Sequence, residues 1–576
     1  MGKRRKSPPI IDIDIKDIEQ MLVRAVAQMT PEDAALIKML SDSLVQMLAL
    51  VRERGTTLAR LRRLFGLSGS EKSSSILPGS SNAPETAADP PAVTDGASRD
   101  PASAQDGAGQ PASTPPAANV PDKQKPKGHG RLAASDYAAA EHIAVAHADL
   151  HPGDRCPKCL RGNLYRLKDP APIVRLVGSA PLVAKCWDCE SLRCSTCGLV
   201  HTARAPAEAQ GPKYDETAAS MLAVLRYGAG MPLNRLDHLQ RNLKTPVPSS
   251  TQWDLLDERV ALLRPAYNEL LRLAAQGEVM HNDDSYVRVL AFMGKRRAAL
   301  VAAGKLPDPE RTGLFTSAIV SIVATVGTIA LFFTGRKHAG ENLDQLLDLR
   351  DTALGPPILM SDALSRNVPG RHQVQESNCI THGRRGIVDE IENHPAVCRA
   401  LLGCIALIYK VDSECKQHGL SSQDRLLAHQ LHSGPVMDHL RERMVAEFEQ
   451  KRIEPNSALG GALNYFLKRW EKFTLFLRVP GAPLDNNIVE RALKKPILQR
   501  NASLFFRSLH GANVGDVYLA LIYTAELHKE NPVEYLTALQ RNAEAVATRP
   551  ADWMPWNFRQ ALASVERSAS AIAAAA

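Results

Sequence analysis

Four apolar runs between residues 278 and 364 restrict the fold more than any other feature of the chain. "EVMHNDDSYVRVLAF", "TSAIVSIVA" and "GTIALFFTG" are rich in β-branched and aromatic residues, and the helix-period segment "ENLDQLLDLR" then leads to "PPILMSDAL". Three strands, a helix and a further strand form an α/β core. The longest apolar stretch, residues 316–333, is broken by Ser, Thr and Gly, so it reads as paired core strands and not as a membrane span. Residues 379–478 turn mostly helical, and no internal repeat is visible.

A chain of 576 residues that is 44% hydrophobic can bury a sizeable core, in about two to four domains. Its 70 Lys and Arg outnumber 62 Asp and Glu, a formal charge of +8 that suits a polyanionic partner without specifying nucleic acid. The basic start "MGKRRKSPPI" leads into "IDIDIKDIEQ", with no apolar stretch of the kind a secretory signal uses. Ten cysteines, three C-x-x-C pairs among them, then imply a reducing, cytoplasmic setting in which thiolates bind metal.

Residues 16–65 carry apolar residues at helical spacing and end in the basic "LARLRRLFGLSG". Such helices pair with a second copy, lay a cationic face on DNA, or form an ordinary helical hairpin. The Ser-, Pro-, Ala- and Gly-rich segment 70–127 cannot repay its ordering entropy and is expected to be a disordered linker. Residues 214–275 read as helices, with "SMLAVLRYGAGMPLNRLDHLQRNL" compatible with a helix-turn-helix.

"RCPKC" supplies Cys156 and Cys159, and "KCWDCESLRCSTCG" supplies Cys186, Cys189, Cys194 and Cys197. Two facing C-x-x-C knuckles present the four thiolates a structural zinc ion takes. Cys194 and Cys197 are followed by the glycine a knuckle turn uses, so Cys156, Cys159, Cys194 and Cys197 form the expected zinc set. Cys379, Cys398, Cys404 and Cys415 read as small core residues.

Asp283 and Asp284 are neighbours on a strand and point to opposite faces, so only one of them joins a given site. Asp362 ends "PPILMSD", where an α/β sheet opens its crevice. Placed on a helix at about 100° per residue, "DNNIVERALKK" puts Asn487, Glu490, Arg491 and Lys494 on one face and Ile488, Val489, Ala492 and Leu493 on the other. Asp485 or Asn486 would cap this helix and Pro496 would end or bend it, with Glu490 aimed outward. Three acids from two strands and a late helix can hold two divalent ions for phosphoryl transfer. Spacing alone favours a surface ion pair of Glu490 with Lys494 over that role. "KYDET" at 213–217 precedes a helix without a strand of its own, so Asp215 reads as a helix N-terminal residue.

The segment "PLDNNIVERALKKPILQRNASLFFRSLHGANVGDVYLALIYTAELHKENPVEYL" closely resembles the C-terminal signature of the insertion sequence 66 family of bacterial transposases. "GRKHAGENL", "CITHGRR", "YGAGMPLNRLDHLQ", "LRCSTCG", "GHGR" and "LARLRRLFG" resemble further blocks of that family in its order, so the resemblance covers nearly the whole chain outside the linker. It departs where "DALSRN" follows Asp362, a place where many members have glycine and tyrosine, and where "QRNASLF" replaces R-K-N-x-L-F.

The resemblance implies a multidomain α/β protein: an RNase H-like catalytic core with a large all-helical insertion, N-terminal coiled-coil-like and helix-turn-helix-like segments, and a small zinc-binding module. On this chain that implies an N-terminal helical segment at 1–69, the linker at 70–127, the zinc module at 128–212 and a helix-turn-helix-like region at 213–275. The core would follow at 276–378, the helical insertion at 379–482, the helices carrying the third acid at 483–545 and a tail at 546–576. Asp283, Asp362 and Glu490 become the DDE triad, holding two Mg²⁺ or Mn²⁺ ions beside a structural Zn²⁺. Arg384, Arg385, Asn487, Arg491, Lys494 and Arg500 become DNA contacts, while His382, Arg384 and Arg385 are read equally as active-site support or helix packing. The implied activity is transposition, with terminal inverted repeats bound, 3′ ends nicked and strands joined to target DNA. A homo-oligomer on DNA, accessory proteins of the same element and a bacterial cytoplasmic, nucleoid-associated setting go with it. An inactive DNA-binding regulator and an RNase H-like nuclease or resolvase are the rival readings.

Overall fold

The structure is a computed structural model that describes residues 144–575 apart from 146, 167–174, 176–177, 194, 196, 198–199 and 307. The expected N-terminal helices, the linker and Cys194 lie outside the described residues. The chain divides into two units, residues 85–180 and the remainder. In the smaller unit, a bridge between Arg155 and Asn163 closes a turn over Cys156 and Cys159.

In the larger unit five strands form one mixed sheet: β1 (Val279–Tyr286), β2 (Phe315–Val323), β3 (Gly327–Gly335), β4 (Ile358–Ser361) and β5 (Gln375–Asn378), in the order β3-β2-β1-β4-β5. β2 runs antiparallel to both its neighbours, whereas β1, β4 and β5 are parallel. The long apolar stretch is therefore the β2–β3 hairpin, paired from Phe315↔Gly335 to Val323↔Gly327. No helix among the described residues is long and apolar enough to cross a membrane. β5 is the strand that hydrophobic patterning does not announce. Its sequence is QESN, and only pairing with β4 makes it a strand.

Helices α1 (Glu216–Ala223), α2 (Leu233–Asn242) and α3 (Ser249–Ala274) precede the sheet, and α4 (Ala339–Leu347) joins β3 to β4. After β5 come α5 (Ile380–Asp389), α6 (Pro395–Gln417), α7 (Gly434–Glu449) and α8 (Ala458–Leu467), followed by α9 (Asn487–Ser503), α10 (Leu509–Leu527), α11 (Pro532–Arg541) and α12 (Phe558–Ala575). Asp215 is the N-cap of α1, accepting the Ala218 N–H at 2.9 Å.

Two apolar clusters organise these elements. Leu222 and Leu236 from α1 and α2, Leu256 and Leu263 from α3, and Val489 and Leu521 from α9 and α10 join Ile319 and Leu331 of the sheet. Leu401, Ile405, Met437, Leu440, Leu463 and Phe466 build a second cluster within the helical stretch between β5 and α9. Val279 of β1 and Ile358 of β4 belong to the same cluster, so the apolar face of the insertion is seated on the sheet.

Two expectations change. The helix bearing Glu490 runs through Pro496 to Ser503, with Val489, Ala492, Leu493 and Gln499 buried along it. A proline forfeits one backbone hydrogen bond, and here the seated face outweighs it. The segment expected as a C-terminal tail is anchored: Val546, Trp553, Met554 and Phe558 are buried in the main cluster.

Gly340 of "HAGENL" is a place where no side chain fits. A Cβ there would lie 2.3 Å from the Val368 carbonyl oxygen and 2.7 Å from that of Arg366. Backbone cannot yield as a side chain does, so Gly340→Ala is expected to destabilise the fold by about 1–3 kcal/mol in a denaturant melt. An unchanged midpoint would contradict this close approach.

Candidate active site

The parallel register of β1 and β4 brings two of the acids together. Val279, Met280 and His281 pair with Ile358, Leu359 and Met360, which carries Asp283 level with Asp362 at the C-terminal ends of adjacent strands. Asp283 is pushed up to about 7, first by burial and then by repulsion from Asp362, Asp284 and Glu490, against the Asp284 N–H that donates to its Oδ1. The three predicted acids thus lie within electrostatic reach of one point.

Asp284 faces the other way, as strand alternation requires. It accepts from Ser317 Oγ at 2.6 Å, its other oxygen lies 2.9 Å from His338 Nδ1, and its side chain is only 1% exposed. His338 begins α4 in a capping box with Glu341, and Asn342 donates to the same Ser317 hydroxyl. "GRKHAGENL" therefore fixes the back of β1.

Asp362 accepts from Asn367 Nδ2 at 2.7 Å and from the Leu364 N–H at 3.1 Å. Its carbonyl accepts the hydroxyl of Tyr465 at 2.9 Å, so the helical insertion provides an aromatic side chain at this turn. Ala363 has φ +69°, the left-handed region in which glycine is at ease.

Glu490 sits in the first turn of α9, but it turns inward rather than outward. Its Oε1 lies 3.6 Å from His382 Nε2, and the side chain is 30% exposed. It pairs with His382 and not with Lys494. Arg491 and Lys494 are exposed on the same helix, as the helical wheel requires, and Asn487 is half-buried. Asn486 occupies the N-cap position without a side-chain cap bond, because its side chain is committed to β1. The Asn487 N–H instead donates to Asp485 Oδ1 at 3.1 Å.

The remaining predicted contacts divide. Arg500 donates to Ser285 Oγ at 3.0 Å and to the Tyr286 carbonyl, tying α9 to the end of β1. Arg384 and Arg385 are half-buried on α5. Arg491 lines a cavity of about 330 Å³ with Lys416, Arg425, His281 and Asn487.

Sequence reasoning assigned Cys379 to the core, and it is fully buried, yet it stands beside Glu490 and His382. Burial pushes its thiol up to about 12. The C-x-x-H spacing of "CITH" is the signal that could have found it. Among the cysteines of the expected zinc set, the Cys159 thiol is held below its usual value by the backbone N–H groups of Arg161 and Gly162. Cys197 lies in the turn between Ser191–Arg193 and Val200–Thr202, two strands paired as a hairpin.

A mixed sheet whose central strands end in carboxylates, faced by a third on a helix, is a class of site suited to hard divalent cations. Comparison with known proteins is more specific: the family model described as "Transposase IS66 family" matches residues 213–514, more than half of the chain. The chain belongs to the IS66 family of transposases. It is similar to two uncharacterized proteins of Sinorhizobium fredii (strain NBRC 101917 / NGR234). It is 25% identical to y4jD over 76% of this chain and 84% of that protein, and 25% identical to y4hP over 65% and 68%.

Two outcomes are expected at this site. A carboxyl whose folded pKa is raised stabilises the fold relative to its charged state below its unfolded value and loses that contribution as pH rises through about 7. Asp283→Asn should therefore stabilise the fold in EDTA at pH 8, by about 1–3 kcal/mol, and by clearly less at pH 5. Equal melting of the two proteins at both pH values would contradict the burial of an uncompensated charge. Ala363→Gly should relieve the left-handed strain for a net gain of about 0.5–1 kcal/mol, and a lower denaturation midpoint would refute that strain.

Proposed function

We propose that this protein is a DDE transposase that nicks the 3′ ends of its element and joins them to target DNA. The observation that carries the reading is the convergence of Asp283, Asp362 and Glu490, with burial and mutual repulsion holding Asp283 at about 7. The strand order β3-β2-β1-β4-β5, with β2 alone antiparallel, supports an RNase H-like core. Membership of a transposase family supplies the substrate class, DNA.

Crowded carboxylates fit hard divalent cations, and Asp283, Asp362 and Glu490 are the residues that would hold Mg²⁺ or Mn²⁺. Such ions, when bound, supply an activated water or 3′-hydroxyl and neutralise charge at the scissile phosphate. The chain does the positioning. Asn367 and the Leu364 N–H orient Asp362, the Asp284 N–H orients Asp283, and the Asp284–His338 contact holds β1 from behind. Arg491 and Lys494, exposed next to Glu490 along α9, would meet backbone phosphates.

The terminal inverted repeats would be recognised by the N-terminal segment, by the expected zinc module and by the helices at 213–275. Arg384, Arg385, Asn487 and Arg500 would bring support from the core side. Joining two ends to one target calls for a homo-oligomer on DNA, with accessory proteins of the element as further partners. The setting is the bacterial cytoplasm, at the nucleoid.

The test uses end DNA from the flanks of the gene with Mg²⁺, comparing wild type with Asp283→Asn, Asp362→Asn and Glu490→Gln. Wild type should nick and join. Each variant should lose about 10³-fold or more of both activities, some 4 kcal/mol, while still binding the ends. Binding without cleavage by any of the four proteins, with accessory products of the element supplied, would make this chain a regulator instead.

A further inference from the structure

Cys379 is the N-cap position of α5, His382 lies three residues on in its first turn, and Glu490 sits in the first turn of α9. One ligand atom from each lies within 4.8 Å of the other two. The 3.6 Å between His382 Nε2 and Glu490 Oε1 is too long for a hydrogen bond. It is close to the separation of two atoms that each stand about 2.0–2.1 Å from a shared ion.

Two polar atoms of this cluster lack hydrogen-bond partners. Glu490 Oε1 and His382 Nδ1 are buried without hydrogen bonds, a costly arrangement for groups of this polarity. The Cys379 sulfur is approached by the Asn486 N–H at 3.2 Å, a donor suited to a thiolate. The side chains of His382 and Glu490 beside the buried sulfur are 23% and 30% exposed.

We propose that Cys379, His382 and Glu490 form a site for a zinc-class divalent cation, adjoining the carboxylates and distinct from the C-x-x-C pairs. Sulfur and imidazole select a borderline-soft ion over Mg²⁺, which prefers oxygen ligands. Three protein ligands leave a fourth position open, the pattern of a zinc site that exchanges water or substrate. Glu490 has two oxygens, so an ion held through Oε1 fixes the carboxylate while the second oxygen remains for its partner acids. The site does not depend on the transposase reading, because its signature is the number of metal ions bound and not end cleavage.

The experiment titrates the full-length, reduced, metal-stripped chain with Co²⁺ as the probe and compares wild type with Cys379→Ser and His382→Gln. Both variants should bind one equivalent fewer than wild type, and Cys379→Ser should also lose part of the sulfur-to-cobalt absorption. Cobalt on the C-x-x-C pairs is common to all three proteins and cancels in the comparison. Equal stoichiometry and equal absorption overturn the proposal. Circular dichroism checks that each variant is folded, and should Cys379→Ser fail that check, the count for the partly exposed His382→Gln decides alone.

Discussion

The side chain of Asn486 is the joint on which the candidate site depends. Its amide nitrogen donates to the Asn282 carbonyl at 3.0 Å, and its oxygen lies 3.1 Å from His281 Nδ1 across 205 residues of sequence. Its backbone N–H reaches the Cys379 sulfur. One fully buried residue thereby ties the first strand, the start of the helical insertion and the helix of Glu490 to each other. Because the amide oxygen must accept, His281 Nδ1 carries the proton. Burial lowers His281 to about 4, so the ring stays neutral and the contact persists through ordinary pH.

What this joint assembles is electrostatically unfavourable. Asp283 is buried among other acids, and the Asp284 backbone N–H donates to it. Such a cluster works against the stability of the fold and persists because the surrounding structure over-determines it, which is the pattern of a site kept for function. Asp516 offers the contrast. It too is pushed to about 7 by burial, yet both its oxygens accept from Thr334, so it works as a structural cross-link between α10 and β3. A raised carboxyl pKa is therefore not the mark of a functional acid. The meeting of several acids is.

The sheet was legible where composition and geometry agree. The β-branched runs became β1, β2 and β3, and strand alternation correctly separated Asp283 from Asp284. The α9 wheel placed Arg491 and Lys494 on the exposed side and Val489, Ala492 and Leu493 on the buried side. QESN carries no apolar pattern, and only its neighbour's unpaired edge makes it β5. Pro496 signals a break that seating of the helix overrides, and the aromatic residues of "DWMPWNF" anchor a segment whose place in the chain suggested a tail.

The sequence by itself determined which residues alternate on a strand or share a helix face, because those periodicities follow from local backbone geometry. It also determined the family, through motifs whose order survives along the chain. Only the tertiary structure decided that Glu490 turns inward to His382, that Cys379 stands beside it, and that Tyr465 supports Asp362. Those contacts join residues about a hundred or more positions apart, and their geometry depends on how the helical insertion packs against the sheet, which no local pattern encodes.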